Sequence, residues 1–293
     1  TKLKALLAFF LSGLIFIFKS NIFNRLNSPM IVFGGYVSLI AFFYFRGPVF
    51  LQEQNTIPGS VSRLLISTNK VSKIFCGFET TKNFFKKYNK NFIDLVNTGN
   101  PVGKIKEKEN NILDSSPLKI LILGGSQGSM FLNESVPEIL EEFLEKKIVK
   151  VKHQTGFKNE AKVLNAYSAY LENVTIQEFI SDIESSYLWA DIVICRSGAL
   201  TVSEIIASRS VGIFVPIKAS IDDHQKENAN YLKSLNASWI LEESDSFNNE
   251  LRNLISEIID NRNLIHEKRR NIRLIEIKDA ESTIFNEVNA WYK

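Results

Sequence analysis

The residues best suited to chemistry lie between Asp191 and Glu204, in the run DIVICRSGALTVSE. A short apolar stretch, Ile192 to Cys195, stops at a turn of small residues, and Val202, Ile205 and Ile206 then recur at helical spacing. The pattern predicts strand, turn, helix. A turn of Ser197, Gly198 and Ala199 has no bulky side chain to hold a ligand away from the backbone, and the unpaired N–H groups of a helix start attract an anion. That is the chemistry of a phosphate cradle. The same residues also fit a plain structural role, because Thr201 and Glu204 are spaced as a capping box that would satisfy those N–H groups internally. The turn alone does not choose between the two.

A second turn of the same kind follows Lys119 to Leu123, a buried strand by its composition. It reads Gly124-Gly-Ser-Gln-Gly-Ser129 and leads into a helix carrying Phe131 to Leu144. It is not GxGxxG, and no acidic residue ends the next strand, so dinucleotide binding is disfavoured. Further polar candidates cluster where strands end. Gln52-Glu53-Gln54-Asn55 follows the strand expected at Pro48 to Leu51, Gly34-Gly35-Tyr36 follows Met30 to Phe33, and Asp222-Asp-His-Gln225 precedes a helix. Ligands of open α/β sheets gather at such ends. His153, alone at a strand end, reads as structural, whereas His224 and Gln225 suit polar contacts.

These residues need a scaffold of alternating strands and helices. The 293 residues suit an α/β chain of two domains, each able to bury its own core. The Asn-rich, charged stretch from Gly103 to Ser116 reads as the linker between them. The formal charge of +3, without an Arg-rich patch among aromatics, argues against nucleic acid as a partner. Cys76 and Cys195 have neither disulfide nor metal spacing, so no metal site is expected and a reducing compartment fits. The chain opens with Thr1 and an apolar run, Ala5 to Phe18, flanked by lysines and shorter than the roughly 20 residues of a spanning helix. A buried helix, a helix on a membrane surface, and a signal or anchor all fit Leu3 to Phe18; a true transmembrane span is not expected.

Taken together, GGY, QEQN, GNPV, LILGGSQGS, HQTG, EFI, CRSGALTVSE, FVP and DDHQ occur in the order found in the MurG family, which the chain resembles from about Phe33 to Glu242. The resemblance implies an inverting N-acetylglucosaminyltransferase that carries GlcNAc from UDP-GlcNAc to undecaprenyl-linked lipid I, giving lipid II for peptidoglycan. It implies the GT-B fold, two facing Rossmann-like domains with parallel sheets, the N-terminal one incomplete here. Residues 1–116 would be the acceptor and membrane-side domain, 117–278 the UDP-GlcNAc domain, and 279–293 a helix returning to the first domain. Carried over, Ser126 and the turn Ser197, Gly198, Ala199, Leu200 with Thr201, Val202 and Ser203 would hold the donor diphosphate. Glu204 would take the ribose hydroxyls, the backbone at Ile180 the uracil, and Gln225 the GlcNAc hydroxyls. Asn55 would reach the donor from across the cleft, and Gly34, Gly35 and Tyr36 would face the acceptor diphosphate. No tightly bound cofactor is implied, and the place of action is the cytoplasmic face of the bacterial inner membrane, held peripherally to its anionic surface.

Three departures from the family pattern stand out. The family's first loop, GGTGGH, has no counterpart in these residues, HEQN reads Gln52-Glu53-Gln54-Asn55, and GNPVR has Gly103 in place of arginine with Lys104 beside it. Glu53 is the candidate catalytic residue, the family's histidine loop having no counterpart in these residues, and the general base is left unassigned.

Overall fold

A computed structural model describes residues 29–291 apart from 36–37, 40–41, 43–44, 46, 69, 89–92, 109–116 and 219–222. The expected helix over Leu3 to Phe18, Tyr36, Asp222 and the end of the linker lie outside the described residues. The chain divides into two compact units, Thr1–Pro101 with Lys278–Lys293, and Val102–Ile277.

In the first unit four strands, β1 (Met30–Val32), β2 (Val49–Glu53), β3 (Val71–Cys76) and β4 (Asp94–Asn97), form one parallel sheet in sequential order. Helices α1 (Ser60–Ile66) and α2 (Glu79–Tyr88) follow β2 and β3. Val32, Val49, Leu51, Leu65, Val71, Ile74 and Phe85 make a common core. β2 runs on to Glu53, past the end expected at Leu51, and is buried along its whole length. Gln52 and Glu53 therefore belong to the strand, and only Gln54 and Asn55 to the turn beyond it.

The last helix, α10 (Ala280–Ala290), belongs to this same unit. Asp279 caps it by accepting from the Ser282 N–H at 3.0 Å. Glu287 pairs with Lys73 of β3, which also meets Asp94 of β4 at 3.0 Å, and the Trp291 ring stands edge-on to Phe50 of β2 at 6.5 Å.

The second unit has a six-stranded parallel sheet in the order β10-β9-β8-β5-β6-β7. Its strands are β5 (Leu118–Leu123), β6 (Val149–Gln154), β7 (Val174–Gln177), β8 (Ile192–Cys195), β9 (Gly212–Phe214) and β10 (Ser238–Ile240). The chain builds outward from β5 through β6 to β7, then crosses back to lay β8 on the other side of β5. Helices α3 (Met130–Glu145), α4 (Glu160–Ala166), α5 (Ile183–Trp189), α6 (Ala199–Ser208) and α7 (His224–Ser234) connect the strands. α8 (Phe247–Asp260) and α9 (Asn263–Arg273) complete the unit.

Burial on both faces explains the central strands. Leu118, Ile120, Leu121 and Ile122 of β5 are fully buried, each contributing roughly 1.5–3 kcal/mol, so the strand is held whatever its polar C-terminal turn contributes. In α3, Leu132, Val136, Ile139, Leu140 and Phe143 recur along one face and pack inward. Segment 102–108 fastens to the base of the sheet: the Lys108 ammonium donates to the Leu188 carbonyl at 2.7 Å and lies 3.8 Å from Asp191. Burial pulls the Lys108 pKa down to about 8.

Candidate functional site

The reversal of strand order at β5 and β8 makes a crevice at their C-terminal ends, where open α/β sheets bind ligands. Leu123 and Cys195, the last residues of the two strands, are register partners, and the Arg196 N–H donates to the Leu123 carbonyl at 3.3 Å. The two small-residue turns therefore leave the sheet side by side.

The turn after β5 is shaped by glycine. Gly125 and Gly128 have φ of 85° and 77°, a region costly for other residues. A Cβ on Gly124 would lie 2.4 Å from the Ser129 nitrogen, and one on Gly128 would lie 2.1 Å from the Thr155 carbonyl oxygen. Ser129 caps α3 by accepting from the Leu132 N–H at 3.3 Å. Ser126 and Gln127 are left exposed at the tip.

Neighbouring loops brace this turn. The Asn133 amide donates to the Thr155 carbonyl at 2.9 Å, so its Oδ1 faces His153 Nε2 at 3.0 Å as acceptor, and His153 Nδ1 takes the Tyr167 hydroxyl at 3.3 Å. That arrangement fixes the neutral Nε2–H tautomer, and burial holds the His153 pKa down at about 3. His153 is structural, as its position at a strand end suggests.

Gln154 ends β6 where a dinucleotide-binding chain would place an acid. Its Nε2 donates to the Gly125 carbonyl at 3.1 Å, and its Oε1 accepts from the Ile180 N–H at 3.0 Å. One buried amide thus ties the turn after β5 to the loop after β7. The Ile180 N–H is already engaged, which leaves other backbone groups of that loop for a ligand.

The turn after β8 is built differently. Arg196 is locked away from the crevice, donating to the Val215 carbonyl at 2.9 Å and pairing with Glu243. Ser197 is fully buried; its carbonyl accepts from the Asn228 amide of α7 at 3.2 Å, and its hydroxyl has no partner among the described residues. Gly198 is the N-cap of α6, with no side-chain cap. The expected capping box does not form. Thr201 lies inside the helix, and Glu204 reaches across to α5, where its Oε2 accepts from the Tyr187 hydroxyl at 2.8 Å. The helix opens three residues early because Gly198 supplies the extended cap conformation, and no side chain among the described residues caps its first N–H groups.

The carried-over residues do not all face the crevice. Val202 is fully buried in the core, and the Ser203 hydroxyl donates back to the Ala199 carbonyl at 2.9 Å. Leu200, Thr201 and Glu204 keep some exposure. Burial raises the Glu204 pKa and the Tyr187 bond opposes that rise. Gln225, in the first turn of α7, accepts from the Ile217 N–H at 3.2 Å through Oε1, leaving its amide donors to point elsewhere. Ser126, Ile180, Ser197 to Glu204 and Gln225 thus share one end of one sheet.

The remaining expected residues lie in the first unit. Glu53 is 4% exposed and both its oxygens are engaged: Oε1 accepts from the Asn55 N–H at 3.0 Å and its side-chain amide at 3.1 Å, and Oε2 from the Gly59 N–H at 3.2 Å. Gly34 and Gly35 both have φ of 72° in the turn after β1, and the Gly34 carbonyl accepts from the Ser38 hydroxyl. Cys76 and Cys195 are free and buried, and the Cys76 thiol is pushed up to about 12, first by burial. Among the described residues no group of three or more His, Cys, Asp or Glu could hold a metal ion.

Sequence reasoning missed Tyr187, Asn228 and the bracing role of Gln154. Gln154 lies in HQTG, which enters only as part of the family motif order, and Tyr187 follows Glu184, Ser185 and Ser186 in a helix with no signal that singles out its hydroxyl.

Two parallel α/β units, the second with two small-residue turns leading into helices side by side at the end of its sheet, define the GT-B class of glycosyltransferases. Residues 119–284 match the glycosyltransferase family 28 C-terminal domain, and the chain belongs to that family, in its MurG branch. It is 34% identical over 247 residues to the UDP-N-acetylglucosamine--N-acetylmuramyl-(pentapeptide) pyrophosphoryl-undecaprenol N-acetylglucosamine transferase of Shewanella halifaxensis (strain HAW-EB4), covering 82% of this chain and 64% of that protein. To the protein of the same name from Francisella tularensis subsp. tularensis (strain WY96-3418) it is 33% identical over 278 residues, 91% of this chain and 74% of the relative. The crystal structure of Acinetobacter baumannii MurG superposes with a TM-score of 0.72 at 28% identity, covering 99% of this chain and 81% of that one. A UDP co-structure of S. aureus MnaA shares the fold, with a TM-score of 0.68 at 13% identity over 96% of this chain and 79% of that one. The chain spans 64% of the length of the Shewanella relative.

Proposed function

We propose that this chain binds UDP-GlcNAc at the crevice of its second unit and, as part of a lipid I-using enzyme, transfers GlcNAc to form lipid II with inversion. The observation that carries the reading is the placement of the Glu204 carboxylate, held by Tyr187, beside the open start of α6. A diphosphate lying across the starts of α3 and α6 brings its ribose toward Glu204 and its uracil toward the loop at Ile180. The buried Ser197 hydroxyl is a further donor for the phosphates. As the sugar–phosphate bond breaks, charge grows on UDP, and preoriented N–H groups stabilise it more in the transition state than in the ground state. Gln225, whose Oε1 is engaged by the Ile217 N–H, offers its amide N–H groups to the sugar hydroxyls. Glu53, with both oxygens engaged by its own turn, is read as holding Asn55 rather than as the base. The first unit, with Gly34, Gly35 and Tyr36, takes the acceptor diphosphate and sits peripherally on the anionic inner face of the membrane. No helix among the described residues is long and apolar enough to cross it.

A second reading rests on Gln52, which stands where the family carries histidine and is fully buried, its amide 3.4 Å from the Gly99 carbonyl and the Asn100 side chain. On that reading the chain binds UDP-GlcNAc without transferring it. Calorimetry with UDP and UDP-GlcNAc, combined with a radiolabelled transfer assay on lipid I, separates the two. Binding weakened about tenfold or more by Glu204→Ala, with lipid II formed, supports the first. The same binding without lipid II supports the second, release of ManNAc would point to an epimerase, and no UDP binding removes both readings.

A further inference from the structure

Tyr187 is a fully buried side chain on α5, a helix capped by Asp182 accepting from the Ser185 N–H at 3.0 Å. A buried phenol needs an acceptor. Here the acceptor is neither a carbonyl nor another core group but Oε2 of Glu204, a carboxylate partly open to the crevice. A hydroxyl bonded to an ionised oxygen makes one of the stronger neutral-to-charged hydrogen bonds. It also fixes the rotation of the carboxylate, because the ring that carries it is packed in the core and has no freedom of its own. With Oε2 held, Oε1 is the oxygen left to meet a ligand.

We propose that Tyr187 is a positioning residue that presents Glu204 Oε1 to the vicinal hydroxyls of a ribose, and so sets the preference of the site for ribonucleotides over deoxyribonucleotides. The inference rests on the reading of the crevice as a UDP site. Among the described residues the titratable groups facing the carboxylate are Tyr187 from α5 and Cys195 from β8, and burial raises both, so they stay neutral near pH 7. Burial is the first cause of the rise in the Glu204 pKa and the Tyr187 bond is what opposes it. Removing the hydroxyl therefore leaves a carboxylate that is both free to rotate and harder to ionise.

The test is calorimetric titration of the full chain with UDP and with 2′-deoxy-UDP between pH 5.5 and 8.5, in the parent and in Tyr187→Phe. The expected result is a loss of about tenfold in UDP affinity, a UDP to 2′-deoxy-UDP preference that collapses toward one, and an acid limb of UDP binding displaced to higher pH. Equal weakening of both nucleotides, with an unmoved pH profile, would make Tyr187 merely structural and overturn the proposal. Failure of the parent to bind UDP would overturn the site reading as well, so the two failures are told apart. Where Tyr187→Phe fails to fold, 4-methylphenylalanine at position 187 fills the hydroxyl volume without a donor, and 4-aminophenylalanine restores a donor. The preference is expected to be lost in the first and recovered in the second; the reverse order, or no difference, sinks the idea.

Discussion

The two turns that frame the crevice contain similar residues for different reasons. In the turn after β5 glycine is demanded by the protein itself, since a Cβ on Gly128 would meet the Thr155 carbonyl at 2.1 Å and one on Gly156 would meet the Gly128 nitrogen at 2.2 Å. In the turn after β8, Gly198 has a φ of −61° and open space, its nearest neighbour being the Thr201 hydroxyl at 3.8 Å. Nothing among the described residues excludes a side chain there. A glycine required by packing shapes the site, and a glycine that packing leaves free points to what the site receives.

Substitutions can break this contrast. Gly128→Ala combines a steric clash with a positive φ and is expected to destabilise the second unit by about 3 kcal/mol or more. A urea transition coincident with the parent's would remove the steric half of the comparison. The brace beneath that turn gives the next effect. The folded His153 pKa of about 3 lies below its unfolded value, so its contribution is complete above pH 6.5 and declines as pH falls toward 3. The decline is at most about 1.4 kcal/mol per pH unit. His153→Gln, which does not titrate, is expected to flatten that part of a stability–pH curve, and an unchanged slope would assign the acid sensitivity elsewhere.

Gly198→Ala should do the opposite of Gly128→Ala. Its stability loss should stay near 1 kcal/mol, the usual penalty for alanine at an N-cap, while UDP affinity falls about tenfold or more as the methyl group enters the anion's place. Unaltered affinity would show that the free space at Gly198 has no ligand in it. A change of opposite sign is expected at Glu204. Its folded pKa is raised, so its favourable contribution is full below the unfolded carboxylate pKa and is lost as pH rises through the folded value. Glu204→Gln keeps an acceptor for Tyr187 and removes the charge, which should raise stability at pH 8 by roughly 0.5–2 kcal/mol and converge with the parent in acid. A variant less stable than the parent at pH 8 would mean that the carboxylate is held better than its burial implies.

Much of this arrangement was legible in the residues. β5 and β8 announce themselves as apolar runs ending at small-residue turns, and the motif order points to the crevice and to Glu204. Two short edge strands, β4 (DLVN) and β10 (SWI), were not legible, because they lack the run of apolar residues that marks β1. The capping-box reading of Thr201 and Glu204 failed because the spacing records which bonds a helix start can make, not which one tertiary contacts prefer. Glu204 is taken by Tyr187, 17 residues earlier, and Gln154 joins Gly125 and Ile180, 29 and 26 residues away. Such partners are fixed by the order of strands, which one sequence does not display.

The location of α10 in the first unit has a consequence for synthesis. Residues 102–277 form an uninterrupted stretch, whereas the unit begun before them receives its final helix after them. As the chain leaves the ribosome, the six-stranded sheet can close while the earlier sheet still awaits the helix that brings Glu287 to Lys73 and Trp291 to Phe50. The half of the molecule made first is thus the half finished last, and nascent chains caught late in translation should resist protease over 117–277 before they do so over 49–97.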